Sequence, residues 1–245
     1  MADRISSFPD AVLCHILSFL PTKESVATRV LSKRWKPLWR SVPTLHFEEG
    51  FVQRIETHSR FVQSVYAFIL SRYLHQPLQR FHLQCASSLC DPVNFHAWIN
   101  AALQQRLEHF HLCLTRQTTL VLPPHSVVFP ASLLPSSLFN CKTLVVLVLI
   151  GTMNKNIFSF DLSSVDLPSL KAMHLQGFIL ERRDLAELLR GSYNLEDLVM
   201  RDVFFFESEV EPQFERLPKL VRAMIGVDNV PFEVVSTVEF LRIES

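Results

Sequence analysis

The chain has 245 residues, 48% hydrophobic and 20% charged, with 24 basic side chains balancing 24 acidic ones. That composition fits soluble globular protein in one large or two small domains, and zero net charge removes the electrostatic case for nucleic acid, which needs a basic surface to neutralise phosphate. The most apolar run, Leu144 to Ile150, is seven residues long, far short of the roughly 20 that cross a bilayer.

Five cysteines, Cys14, Cys85, Cys90, Cys113 and Cys141, contain no Cys-x-x-Cys pair. An odd, unpaired set points to reduced, buried thiols. The N-terminus reaches Asp3 and Arg4 at once, so no secretory signal is expected, and the expected location is nucleus or cytoplasm.

Residues 3–43 predict three short helices. Phe8, Leu13, Ile16, Leu17 and Leu20 make one apolar stripe, Val26 and Val30 a second, and Trp35, Leu38 and Trp39 crowd a third. Ser7-x-x-Asp10 resembles a capping box, so the first helix is expected from about Pro9 to Phe19, ending before Pro21. Thr22 can cap a second helix to about Val30. Ser32 can cap a third, shortened or kinked where Pro37 lacks an amide hydrogen. About 40 residues rarely bury their own core without disulfides, metal or a partner. With one cysteine, Cys14, and no ligand cluster, this apolar surplus asks for a protein partner. Trp35 and Trp39 fit either the core of this unit or the partner contact.

From residue 42 a spacing of apolar-x-x-apolar-x-apolar recurs. It falls at Val42/Leu45/Phe47, Leu78/Phe81/Leu83, Leu107/Phe110/Leu112 and Leu144/Leu147/Leu149, then at Leu170/Met173/Leu175, Leu195/Leu198/Met200, Leu220/Ala223/Ile225 and Val238/Leu241/Ile243. The four starts from Leu144 to Leu220 are separated by 26, 25 and 25 residues, within the range of leucine-rich repeats. Helices are predicted over Ser59–Leu74, with Phe61, Val65, Phe68 and Ile69 inward and Arg60 and Arg72 outward. Two more are predicted over Pro92–Leu107, capped by Asp91 with Trp98 as core, and over Asp184–Leu189. Each unit is thus strand, helix or loop, and parallel strand, and only stacking buries its apolar side. The run Phe204-Phe205-Phe206 cannot point inward throughout, so one exposed ring is expected. The chain stops two residues after Ile243, where a repeat array is expected to need a polar cap.

Two sets of residues carry a family resemblance. Phe8-Pro9-Asp10, Ile16-Leu17-Ser18-Phe19-Leu20-Pro21, Val30-Leu31-Ser32-Lys33-Arg34-Trp35 and Leu38-Trp39 resemble the F-box. The later stretches VPTLHFE, LEHFHLCL, SLFNCKTLVVLVL and LPSLKAMHLQGF resemble the irregular repeats of plant F-box/leucine-rich-repeat proteins. The resemblance implies an α/β protein, a three-helix F-box over 1–45 followed by an irregular right-handed leucine-rich-repeat solenoid with a parallel sheet over 46–245. It also implies a role: substrate receptor of an SCF-type ubiquitin ligase, docked on a Skp-type adaptor and through it on a cullin, and binding a target protein. An interaction scaffold outside any ligase is the alternative. By the family's pattern, adaptor contacts involve Phe8, Pro9, Leu13, Ile16, Leu20, Pro21, Val30 and Trp35, with Phe8 standing where Leu is usual. The basic cluster Arg29, Lys33, Arg34, Lys36 and Arg40 fits a solvated helix face or a complement to an acidic adaptor surface. Where the family's repeats carry Asn or Cys three residues past the last strand position, this chain has Thr115, Thr152, Phe178 and Val203. No asparagine ladder is expected.

Enzyme signatures are missing. Five glycines form no phosphate-cradling loop, there is no Gly-x-Ser-x-Gly elbow and no His-Glu-x-x-His, so neither catalysis nor a cofactor is expected. The residue before the last apolar strand position should face away from the core, and that place holds His46, His82, His111 and His174 in four of the eight motifs. Two residues earlier the same face carries Arg80, His109, Asp197 and Arg222. These eight are the candidate contacts for a target on the concave face. A polar surface that happens to use histidine is the plainer reading, and a zinc site on adjacent strands the sharpest. No metal is expected.

Overall fold

In the computed structural model the described residues are 5–50, 52, 54–73, 76–86, 89, 91–115, 133–151, 162, 164–205, 212–226, 232–236 and 238–244. Helix α1 (Asp10–Leu17) is entered through Pro9, whose extended backbone stands at the N-cap. The expected Ser7–Asp10 capping box does not start it. Asp10 instead reaches Arg34 at 2.7 Å. Helix α2 (Thr22–Ala27) follows Pro21 in the same way and tightens into a 3-10 turn over Thr28–Val30. Thr22, expected as a cap, sits inside the helix, and its hydroxyl accepts the His46 amide at 2.7 Å. Helix α3 (Trp35–Leu38) starts after Arg34 rather than at Ser32 and is one turn long. Pro37 is tolerated there because a first-turn amide has no helical acceptor.

Leu13, Cys14, Leu17, Trp35, Leu38 and Val42 form the small core of this N-terminal unit, with Leu20 packed against it. A second, much larger core begins at Leu45 and runs to Val235. It lies under one sheet of eight parallel strands: β1 (Thr44–Glu48), β2 (Arg80–Ala86), β3 (His109–Thr115), β4 (Val146–Ile150), β5 (Ala172–Gln176), β7 (Asp197–Arg201), β9 (Arg222–Gly226) and β10 (Phe240–Glu244). Strands β6 (Ile179–Leu180) and β8 (Phe204–Phe205) make a separate two-stranded ladder. All eight repeated motifs end on the large sheet. The pattern along β3 alternates half-buried and buried at every residue, as one covered and one open face require.

Helices fill the gaps. Helix α4 (Ile55–Ser71) and helix α5 (Pro92–Leu103) lie side by side, joined by the Tyr66 hydroxyl on Asn94 at 2.9 Å and by an edge contact of Tyr66 with Trp98. Asp91 caps α5 as expected, accepting from the Val93 amide. Helix α6 (Arg182–Arg190) buries Leu185, Leu188 and Leu189, each worth about 1.5–3 kcal/mol. Helix α7 (Phe232–Val235) precedes β10. One expectation is reversed: Arg72, placed outside, is only 4% exposed. It follows the last turn of α4, where its guanidinium donates to the Val42 and Pro77 carbonyls.

Of the four positions where the family carries Asn or Cys, two are filled by apolar packing, and at a third the Thr115 hydroxyl donates to the Cys85 carbonyl at 3.3 Å. Phe178 and Val203 are the buried pair, while Thr152 lies outside the described residues. Phe178 fits because Gly151 and Gly177 pass at close range; a Cβ on Gly151 would lie 2.7 Å from the Phe178 ring. Gly177 also has φ of +71°, a conformation that costs glycine no steric penalty. Phe204 is the exposed ring of its run, Phe205 is half-buried, and Phe206 lies outside the described residues.

Candidate functional sites

Helix α1 is apolar on two sides. Leu13, Cys14 and Leu17 face the small core, while Phe8, Val12, Ile16 and Phe19 form an outward stripe with spacings of four, four and three residues. Phe19 is 71% exposed, and Val30 and Leu31 beyond α2 are 82% and 63% exposed. An apolar helix stripe is ordinarily covered; here the outward one has no partner among the described residues. Arg34 fixes the stripe's start, donating to the carbonyls of Ser6 and Phe8 and to Asp10. The Trp35 indole donates to the Ser6 hydroxyl at 2.8 Å.

The eight residues named for adaptor contact divide by position. Phe8, Pro9, Ile16 and Val30 are exposed, Leu20 and Pro21 are half-buried, and Leu13 and Trp35 lie in the small core. Those last two shape the surface from beneath. Val12, Phe19 and Leu31 belong to the exposed set and were not named from the sequence. The signal was present: Val12 and Phe19 continue the register of Phe8 and Ile16. Trp39 is also buried, edge-on to Phe68 of α4 with ring centroids 5.8 Å apart, which ties the N-terminal unit to the repeats.

On the sheet's open face the strand register assembles one row: His46, His82, His111, Val148, His174, Val199, Met224 and Arg242. Beside it runs a second row holding Arg80, His109, Asp197 and Arg222. All eight candidate contacts therefore share a face. Rings of His46 and His82 lie 4.2 Å apart and those of His82 and His111 4.1 Å, tilted. The Nε2 atoms of His82, His111 and His174 are buried without a hydrogen-bond partner. Burial, reinforced by His111 and His46, pushes the His82 pKa down to about 4, and burial likewise lowers His109, His111 and His174. These rings are therefore neutral at pH 7. Asp197 and Arg222 pair with each other at 2.7 Å.

A metal does not fit this row as it stands. Neighbouring rings are tilted to one another by 42° and 48°, and among the described residues no group of three His, Cys, Asp or Glu is placed to hold an ion. Cys14 and Cys85 are buried and Cys113 and Cys141 half-buried, with burial raising the pKa of Cys14 and Cys113. Among the described residues no helix is long and apolar enough to cross a membrane.

Comparisons with known proteins match two regions of the chain. A family model of the F-box domain matches residues 5–47, and one described as the LRR repeats of the FBD-associated F-box protein At5g56370 matches residues 95–236. The chain is 35% identical over 209 residues to the F-box/LRR-repeat protein At4g14103 of Arabidopsis thaliana, covering 83% of this chain and 51% of that one. It is 33% identical over 241 residues to the F-box/FBD/LRR-repeat protein At4g26340 of the same plant, covering 96% of this chain and 53% of that one. The chain thus spans about half the length of these curated relatives. No solved structure matches. With the F-box matched at its start and the repeats over more than half its length, the chain belongs to the plant F-box/LRR-repeat protein family.

Proposed function

We propose that this chain is the substrate-recognition subunit of an SCF-type ubiquitin ligase, working in the nucleus or cytoplasm. Residues 1–45 act as the F-box, a three-helix unit that docks on a Skp-type adaptor and through it on a cullin. Residues 46–245 act as an irregular right-handed solenoid whose open face holds a target protein. The chain forms no covalent bond itself. Holding target and ligase on one scaffold makes ubiquitin transfer effectively intramolecular, a gain in local concentration.

The observation that carries this reading is the outward stripe of α1, Phe8, Val12, Ile16 and Phe19, left uncovered by its own fold. Family membership supports it. Ile16→Asp with Phe19→Asp places charge on exposed positions and spares Leu13, Leu17 and Leu20 beneath. Capture of a purified Skp-type adaptor should fall about tenfold or more, since burying an unpaired charge costs several kcal/mol, while the circular dichroism spectrum stays unchanged. Equal capture would reject the docking surface. A wild-type chain that captures neither adaptor nor cullin would point to an interaction scaffold outside any ligase.

A further inference from the structure

We propose that strand β4 anchors the target on the open face: its aliphatic strip seats an uncharged, extended polypeptide segment whose main chain bonds His111 and His174. This rests on the function proposed above. Leu147 and Leu149 of β4 point into the core and are fully buried. Its other three side chains, Val146, Val148 and Ile150, are also aliphatic and stay half-buried on the open face. Each of the other seven strands of the sheet puts at least one hydrogen-bonding or charged side chain there. A parallel strand that is apolar throughout is ordinarily covered on both faces. Among the described residues the main contacts of β4 are with β3 and β5 at its sides, which leaves the strip to a partner.

The flanks of the strip select that partner. In the row through Val148, His111 stands on one side and His174 on the other, and the Nε2 atom of each is buried without a hydrogen-bond partner. An unpaired buried polar atom is a cost that a bound partner can remove. The second side-chain torsion of histidine is broad and roughly two-fold, so either ring can turn its unpaired nitrogen outward. Burial lowers the pKa of both rings and keeps them neutral at neutral pH. A neutral imidazole offers one donor and one acceptor, and a peptide main chain carries both. A hydrocarbon chain would cover the valines and leave the nitrogens unpaired. A carboxylate or phosphate would sit over aliphatic side chains without a counter-charge, where it is costly. The charges on the β5 and β7 side, Lys171 with Glu196 and Asp197 with Arg222, already neutralise each other. From Val146 to Ile150 the strip runs along the whole of β4, about 13 Å, the length of about four residues of extended chain.

The test selects ligands for the full-length chain from a random displayed-peptide library and measures the synthesised peptides by titration calorimetry at neutral pH. The selected sequences should share aliphatic or aromatic side chains in a stretch without charge. Val146→Thr with Val148→Thr keeps the branched shape that suits a strand and should weaken the selected peptides about tenfold. His111→Phe with His174→Phe keeps two flat rings and removes their nitrogens. It should also weaken binding about tenfold, where mere apolar adhesion would strengthen it. Circular dichroism and urea unfolding check the fold of each variant, and Val148→Thr alone serves if the double variant is destabilised. Peptides dominated by acidic or basic residues, failure to select any peptide, or unchanged affinity in either variant would overturn the seat. So would oligomers that dissociate in the valine variant, which would make the occupant a second copy of the chain. Adaptor capture by wild type is scored separately. If the adaptor is bound and no peptide is, the seat falls and the ligase reading stands; if the adaptor is not bound, the ligase reading falls and the peptide affinities still decide the seat.

Discussion

Arg72 closes α4 with its guanidinium inside the protein, donating to the Val42 and Pro77 carbonyls and to the Gln105 side chain. Burial pulls its pKa down to about 10, so it is charged at neutral pH. Read within an amphipathic helix over Ser59–Leu74, it fell on the polar side. Helical periodicity does not foretell where the chain turns after the helix ends. Its partners come from the end of the F-box region, the loop before β2 and the end of α5, so one side chain joins three segments. Arg72→Met should destabilise the protein by about 2–4 kcal/mol, because three acceptors lose their donor in a buried place. Urea unfolding measures this, and a loss below about 1 kcal/mol would make the site an incidental one.

At the scale of elements, the strands were the most legible part of the sequence. A repeated spacing is set by geometry, since each strand must point the same residues into one continuous core, and Leu147, Leu175 and Leu198 are fully buried as that demands. The histidine row was legible for the same reason. What the sequence left out was the crowding within the row, which depends on register between strands far apart in the chain. That crowding predicts a pH effect. His82 has a folded-state pKa of about 4 against an ordinary value near 6.5. Below pH 6.5 the unfolded chain therefore binds more protons than the folded one, and stability falls as pH drops toward 4. The contribution from His82 is on the order of 2–3 kcal/mol, present above pH 6.5 and lost on acidification. Replacing it by glutamine should flatten the decline in stability between pH 7 and 4.5. The decline should not vanish, because burial also lowers His111 and His174. An unchanged pH profile for His82→Gln would show that the row relaxes on protonation at no cost.

Across the whole molecule the sheet has unlike ends. At β1 the outer edge meets α2, with the Thr22 hydroxyl accepting the His46 amide. At β10 no described strand lies beyond, and Leu241 and Ile243, in register with the buried Ala223 and Ile225, are 37% and 56% exposed. An apolar parallel edge is a template for further strand pairing. The chain as it stands should therefore self-associate with rising concentration, and Leu241→Lys should hold it monomeric. Sedimentation velocity decides: a wild type that stays monomeric at about 100 µM, well above typical micromolar association, would show the edge to be protected. The exposed apolar stripe of the F-box region was less legible than this repeat architecture. Two apolar stripes overlap on α1, and only the folded helix separates Leu13 and Leu17, which hold the unit together, from Val12 and Phe19, which do not.

The bond between Thr22 and His46 also gives the sheet a beginning. Strands follow one another in chain order, each beside its predecessor except where the small β6–β8 ladder intervenes. The F-box region precedes the sheet in the chain, and its second helix supplies the surface against which the first strand lies. A nascent chain that adds its strands in this order would lengthen the open face one strip at a time from an anchored side.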